Sequence, residues 1–200
     1  MRARMALQIS GLQVELRETL LKNKPAEMLR ASPKGTVPVL VLDDETIIDE
    51  SIDVMVWALD QHDPEGWLAS ARDPLIAEND GSFKRHLDRY KYAARYDDAS
   101  PEEDRDAGAA FLFKLEERLS GNGWLNSSSR SFADIAIFPF VRQFRIADEK
   151  WFDDRNWPAL ANWLRTCMNS ALFLSVMEKY APWQKGDAPL SFGGRNTAED

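Results

Sequence analysis

Two spots in this sequence carry groups able to hold a small anionic ligand. At the first, Thr36-Val37-Pro38 follows the turn signal Pro33-Lys34-Gly35 and leads into the apolar run Val39 to Leu42, so Pro38 falls at the mouth of a strand. Proline cannot donate to a ladder there. A cis Val37–Pro38 bond, which costs only about 0.5–1 kcal/mol for X–Pro, turns the Val37 N–H and C=O outward, where they can pair with an extended peptide. At the second, Asp49-Glu50-Ser51 precedes the helix-patterned Ile52 to Leu59. Ser51 can act as N-cap, and the free backbone N–H groups of such a helix end can hold a carboxylate. Each piece also has a plain reading: Pro38 as turn chemistry, Ser51 as a cap alone, and the acids Asp43, Asp44, Asp49 and Glu50 as turn and cap rather than acid–base groups.

The elements that must position these spots follow from pattern. Met1 to Ser10 reads as a helix with Met5, Ala6 and Ile9 on one apolar face, Arg2 and Arg4 outside and Gly11 as its stop. Val14 to Glu18 alternates as a half-buried strand, and Pro25 to Arg30 is a short helix opened by its proline. Asp43-Asp44 reverses the chain between Val39 to Leu42 and Thr46 to Ile48, giving a hairpin ahead of the Ile52 helix. The order α-β-α-β-β-α makes residues 1–64 one domain. Residues 65–81, rich in Asp, Pro and Gly, read as a linker, and 82–200 as an all-helical second domain.

In that second part, Ser82 to Ala99 is a helix whose His86, Arg89, Tyr90, Tyr92 and Tyr96 either pack or partly face a cleft. Pro101 to Leu119 is a long helix with Ser100 as cap and glycines at its end. Ser131-Phe132-Ala133-Asp134 is a capping signature ahead of a helix apolar nearly all round, hence central and buried, with Pro139 predicting a kink. Leu160, Trp163, Leu164 and Cys167 recur at helical spacing, which makes Cys167 a core residue. Leu172 to Tyr180 is a last helix, Trp183 lies beyond it, and residues 186–200 read as a frayed polar tail.

Composition bounds the function. The chain carries a net charge of −8, so its global field repels nucleic acid and anionic membranes. An anionic ligand then needs local positive charge, and Lys24, Arg30 and Lys34 fall in the right segment. One cysteine gives no intrachain disulfide framework, and two histidines without metal spacing give no zinc site. No apolar run approaches the roughly twenty residues of a membrane span, and no signal-peptide core precedes the fold, so a cytoplasmic protein is expected.

The ordered set Pro33-Lys34-Gly35-Thr36-Val37-Pro38-Val39-Leu40 followed by Glu50-Ser51 resembles the glutathione-binding half of the glutathione S-transferases. Residues 131–134 are similar to that family's capping box. The resemblance implies an α+β chain: a thioredoxin-like N-terminal domain, its first strand missing here, then an all-α domain. It implies that Val37, before Pro38, clamps the cysteinyl backbone of glutathione and that Glu50 and Ser51 take the γ-glutamyl end. Leu21-Lys22-Asn23-Lys24-Pro25 resembles the omega-like bacterial members, which gives Lys24 the glycyl end. It also places the Cys-Pro nucleophile motif upstream of Met1, so no catalytic nucleophile is assigned within the chain. Tyr90, Tyr96 and Trp183 take the acceptor cleft, and glutathione is the co-substrate of a homodimer acting on an electrophilic or disulfide substrate. A non-catalytic binding or interaction protein of the same fold is the alternative, and an unrelated helical scaffold carrying a β-hairpin is a third.

Overall fold

The computed structural model describes residues 1–194. Two units make up the chain: Met1–Glu65 together with the segment from Ala171 onward, and Gly66–Ser170.

In the first unit, α1 (Arg2–Ser10) ends at Gly11 with φ +70, the left-handed stop the sequence predicts. Strand β1 (Gln13–Glu15) follows, then α2 (Ala26–Ala31), β2 (Leu40–Val41), β3 (Ile47–Ile48) and α3 (Ser51–Gln61). Strands β2 and β3 form the expected antiparallel hairpin, with Leu40 opposite Ile48 and Val41 opposite Ile47. The Val37–Pro38 peptide bond is cis. Helices α1 and α3 pack together through Met5 and Ala6 on one side and Met55 and Ala58 on the other, all with no exposed surface.

Three features differ from the sequence reading. Arg2 is buried rather than outside, at 6 % exposed, and Arg4 pairs with Glu18 at 2.5 Å. Periodicity assigned both to the polar face of α1, but their long side chains reach partners on other elements. Second, the segment from Ala171 belongs to the first unit, not to the helical domain. Helix α10 (Ala171–Val176) packs on α1, and β4 (Ser191–Gly193) pairs antiparallel with β1, Val14 opposite Phe192. Phe192, 5 % exposed, supplies the apolar burial that anchors this strand in a segment otherwise polar enough to read as a tail. Residues 195–200 of that expected tail lie outside the described residues. Third, the run 65–81 is not a plain linker. It holds a 3-10 turn (Trp67–Ser70), α4 (Pro74–Glu78) and a π turn (Asn79–Phe83), because Trp67, Leu75, Ile76 and Phe83 are buried there despite the breakers between them.

The second unit continues with α5 (Lys84–Lys91), shorter than the predicted Ser82 to Ala99 helix, since the chain leaves helical geometry at Tyr92. Then come α6 (Pro101–Asn122), α7 (Phe132–Ala147), α8 (Glu149–Asp153) and α9 (Pro158–Met168). Gly123 ends α6 at φ +74, while Gly121 lies inside the helix. Helix α7 is the core of the unit: Phe132 through Pro139 are buried without a break. Each such large apolar side chain stabilises the fold by about 1.5–3 kcal/mol. The capping box at its start is formed as expected. Asp134, fully buried, accepts from the Ser131 and Leu125 N–H groups at 2.8 and 3.0 Å, from Ser131 Oγ at 2.6 Å and from Trp163 Nε1 at 2.8 Å.

Candidate functional site

The first unit encloses a groove of about 1220 Å³. Residues 13–19 and residues 37–44 line it, with Ala3, Leu7, Val54 and Trp57 contributed by α1 and α3. Val37, Pro38 and Ser51 all border this one space, and so does Trp183.

Val37 is 53 % exposed, and neither its N–H nor its C=O is hydrogen-bonded among the described residues. The strand begins only two residues beyond Pro38, at Leu40, so the Val37 amide lies ahead of the β2–β3 ladder. At the other spot the helix cap is Glu50, with extended φ, and Ser51 is the first residue inside α3. The expected Ser51 cap is therefore shifted by one residue. No side chain caps this end; the first helical bond runs from the Val54 N–H to the Glu50 C=O. The N–H groups ahead of it point outward with the positive end of the helix dipole. Ser51 Oγ instead accepts a hydrogen bond of 3.4 Å from Arg2 Nη1.

Charge around Ser51 is set by a small network. Lys34 Nζ pairs with Glu50 Oε1 at 2.8 Å and Asp49 Oδ1 at 3.0 Å, and Ser32 Oγ donates to Asp49 Oδ2 at 2.7 Å. The Glu50 and Asp49 carboxylates hold the Lys34 ammonium above its ordinary range, and the Ser32 hydroxyl together with Lys34 holds the Asp49 carboxyl below its own. Lys34 is thus committed to acids, and Arg30 pairs with Glu27 at 3.2 Å. The buried cation at Ser51 is Arg2, which the sequence reading placed on the outer face. Its only sequence signal was its position at the very start of α1, where a helix end meets the sheet.

The remaining candidates are dispersed. Glu50 and Lys24 do not line the groove. Lys24 Nζ instead lies 3.2 Å from the position a Cβ would take on Gly35, whose φ of +62 makes the turn possible. Tyr90 and Tyr96 sit in the second unit. The Tyr90 ring packs 5.2 Å from Phe144, and burial raises its hydroxyl above the ordinary phenol range. Tyr96 lies under the Arg89 guanidinium at 5.5 Å, while His86 and Arg89 both engage the buried Asp104 carboxylate, at 2.9 and 3.0 Å. Trp183, in the first unit, donates its backbone N–H to the Glu18 C=O at 2.9 Å and carries the Arg17 guanidinium 4.7 Å from its ring centroid. The single cysteine, Cys167, is buried in the second unit, and burial pushes its thiol far above the ordinary value.

Among the described residues no cluster of His, Cys, Asp and Glu could hold a metal, and no helix is long and apolar enough to cross a membrane.

The fold and sequence have counterparts. Residues 1–66 match the family model for the glutathione S-transferase N-terminal domain, and residues 73–166 the model for its C-terminal domain. A probable glutathione S-transferase of Nicotiana tabacum is 26 % identical over 183 residues, covering 85 % of this chain and 80 % of that protein. A solved glutathione S-transferase of Xanthobacter autotrophicus is 25 % identical with a TM-score of 0.68, covering 85 % of this chain and 87 % of that one. One from Rhodospirillum rubrum is 23 % identical with a TM-score of 0.64, covering 90 % and 88 %. With both halves matched in order along the chain, this protein belongs to the glutathione S-transferase family.

Proposed function

We propose that the protein binds glutathione in the first unit and transfers or conjugates its thiol to an electrophilic or disulfide substrate. Members of the family use glutathione as co-substrate with electrophilic acceptors, and many are dimers. The observation that carries the reading is the pairing of an unbonded Val37 backbone with the open N-terminus of α3 at Ser51 around one groove. An extended tripeptide anion has groups to match both. Its cysteinyl N–H and C=O pair with Val37 as one more strand. Its γ-glutamyl carboxylate takes the α3 N–H groups and the Ser51 hydroxyl, with Arg2 adding positive charge behind it. By the family resemblance alone, Glu50 takes the ligand's ammonium and Lys24 the glycyl carboxylate, although neither lines the groove. In this reading, which follows the omega-like members, the N-terminal end of α1 is where a thiolate is stabilised by the helix dipole. Tyr90, Tyr96 and Trp183 are its acceptor-binding residues, and a cytoplasmic homodimer completes it.

The second reading, a glutathione-binding protein without thiol activation, is favoured by one observation. No cysteine or tyrosine lines the groove among the described residues, and Cys167 is buried elsewhere.

Calorimetric titration with reduced glutathione at pH 7 tests the common part. Saturable binding with one site per chain is expected, and heats no larger than dilution would overturn it. An assay of thiol transfer to a small mixed disulfide separates the two readings.

A further inference from the structure

The ammonium of Lys34 stands where two acids meet. Its nitrogen lies 2.8 Å from Glu50 Oε1 and 3.0 Å from Asp49 Oδ1, so in the free protein a side-chain cation already occupies the Glu50 carboxylate. The two acids are not held alike. Asp49 is fixed from its far side, where the hydroxyl of Ser32, a residue 1 % exposed, donates to Oδ2 at 2.7 Å. The same Ser32 opens the tight turn that carries Lys34, its C=O accepting from the Gly35 N–H at 3.0 Å. Glu50 has no anchor of this kind among the described residues, and its side chain is 63 % exposed against 25 % for Asp49. Solvent and salt screen the outer contact more than the inner one, so Asp49 is the partner that Lys34 keeps.

We infer that Lys34 is an internal competitor for the ligand's amino group: it holds Glu50 in the free protein and withdraws onto Asp49 when a γ-glutamyl ligand binds. This rests on the glutathione reading given above. In a γ-glutamyl group the free carboxylate and the ammonium share one carbon, so a carboxylate at the N-terminus of α3 brings the ammonium beside residue 50, the cap of that helix. One ammonium must then replace another on the same acid. Withdrawal leaves neither carboxylate bare, because Lys34 keeps Asp49 while the ligand takes Glu50. The consequence is a selectivity. A ligand without the amino group leaves Lys34 in place and gains nothing from Glu50, whereas a γ-glutamyl ligand gains only the difference between two cations. Lys34 thereby sets how strongly the site prefers γ-glutamyl over plain acyl ligands, and Asp49 sets how readily Lys34 lets go.

The test is calorimetric titration of the full chain at low salt with two ligands: glutathione, and the same tripeptide with glutaryl in place of γ-glutamyl, which lacks only the amino group. The ratio of the two affinities is the readout, since both ligands carry the same carboxylates and a change in the general field on them cancels. Lys34→Met should raise the ratio in favour of glutathione by about threefold, the size of an exposed ion pair, and added salt should shrink the gain. Asp49→Asn should lower the ratio by a similar factor, and most of that loss should vanish when Lys34→Met is also present. A ratio that Lys34→Met leaves unchanged or lowers would overturn the inference, because Lys34 then shares Glu50 with the ligand or serves its carboxylate. An Asp49→Asn effect of equal size in both backgrounds would overturn it too, as the mark of a charge acting at a distance. If the unaltered chain and both variants bind neither ligand, the glutathione reading itself fails and takes this inference with it; glutathione bound with the wrong ratio sinks the inference alone.

Discussion

Arg2 Nη1 donates to Ser51 Oγ at 3.4 Å, joining the first turn of α1 to the first turn of α3 across forty-nine positions of sequence. Two helix N-termini and a buried guanidinium thus converge at one end of the groove. If this end receives the γ-glutamyl carboxylate, Ser51→Ala should weaken glutathione by about tenfold, the equivalent of one charge-assisted hydrogen bond of roughly 1.4 kcal/mol. Arg2→Gln should weaken it further, since it removes the buried cation that donates to Ser51 Oγ. Calorimetry of both variants, with circular dichroism to confirm the fold, provides the check.

Strand β4 should act as a clasp on β1. The Leu16 N–H donates to the Leu190 C=O at 2.7 Å and the Gly194 N–H to the Leu12 C=O at 3.0 Å. Gly193 has φ +84, and a Cβ there would sit 2.1 Å from Leu12 O. Gly193→Ala should therefore unzip the pair, seen as hydrogen exchange of the Leu16 and Gly194 amides accelerated at least tenfold while amides of α7 keep their protection.

Gly108 poses a contest between helix propensity and packing. Alanine is favoured over glycine inside a helix by about 1 kcal/mol. Here, however, the new Cβ would meet Phe144 Cε2 at 2.6 Å. That ring is held by Phe83 at 5.5 Å and Tyr90 at 5.2 Å, so it cannot yield freely. Overpacking wins, and Gly108→Ala should lower stability by about 1–3 kcal/mol in urea unfolding.

Cys167 supplies a pH dependence whose sign is fixed. Burial raises its folded-state pKa above the unfolded one. Its contribution to stability is fully present below the unfolded thiol value of about 8.5 and is lost as pH rises beyond it. Urea midpoints should decline between pH 8.5 and 10, and Cys167→Ala should make that decline shallower. The native thiol should stay unreactive toward a disulfide reagent at pH 8 and react at once in denaturant.

What the sequence disclosed was local. The Val37–Pro38 turn, the hairpin and the Ser131–Asp134 capping box each declare themselves within a few residues, because turn geometry and caps are short-range chemistry. What it hid was long-range. Arg2 read as a polar-face residue, since nothing near it in sequence announces Ser51. Strand β4 lay in a polar segment, where three residues around Phe192 give no periodicity and only pairing with β1 makes them a strand. Trp67 sits among Asp, Pro and Gly, whose loop signal outweighed one buried aromatic that is wholly enclosed in the fold. The Ser51 cap was misplaced by one residue, the usual margin at a helix end.

Backbone amide NMR during titration with glutathione tests the central claim most directly. The account predicts that the Val37, Ser51 and Ile52 N–H resonances shift together along one saturable curve, while those of α9 stay fixed. Saturable shifts confined to the second unit, or a Val37 amide that does not move, would contradict it.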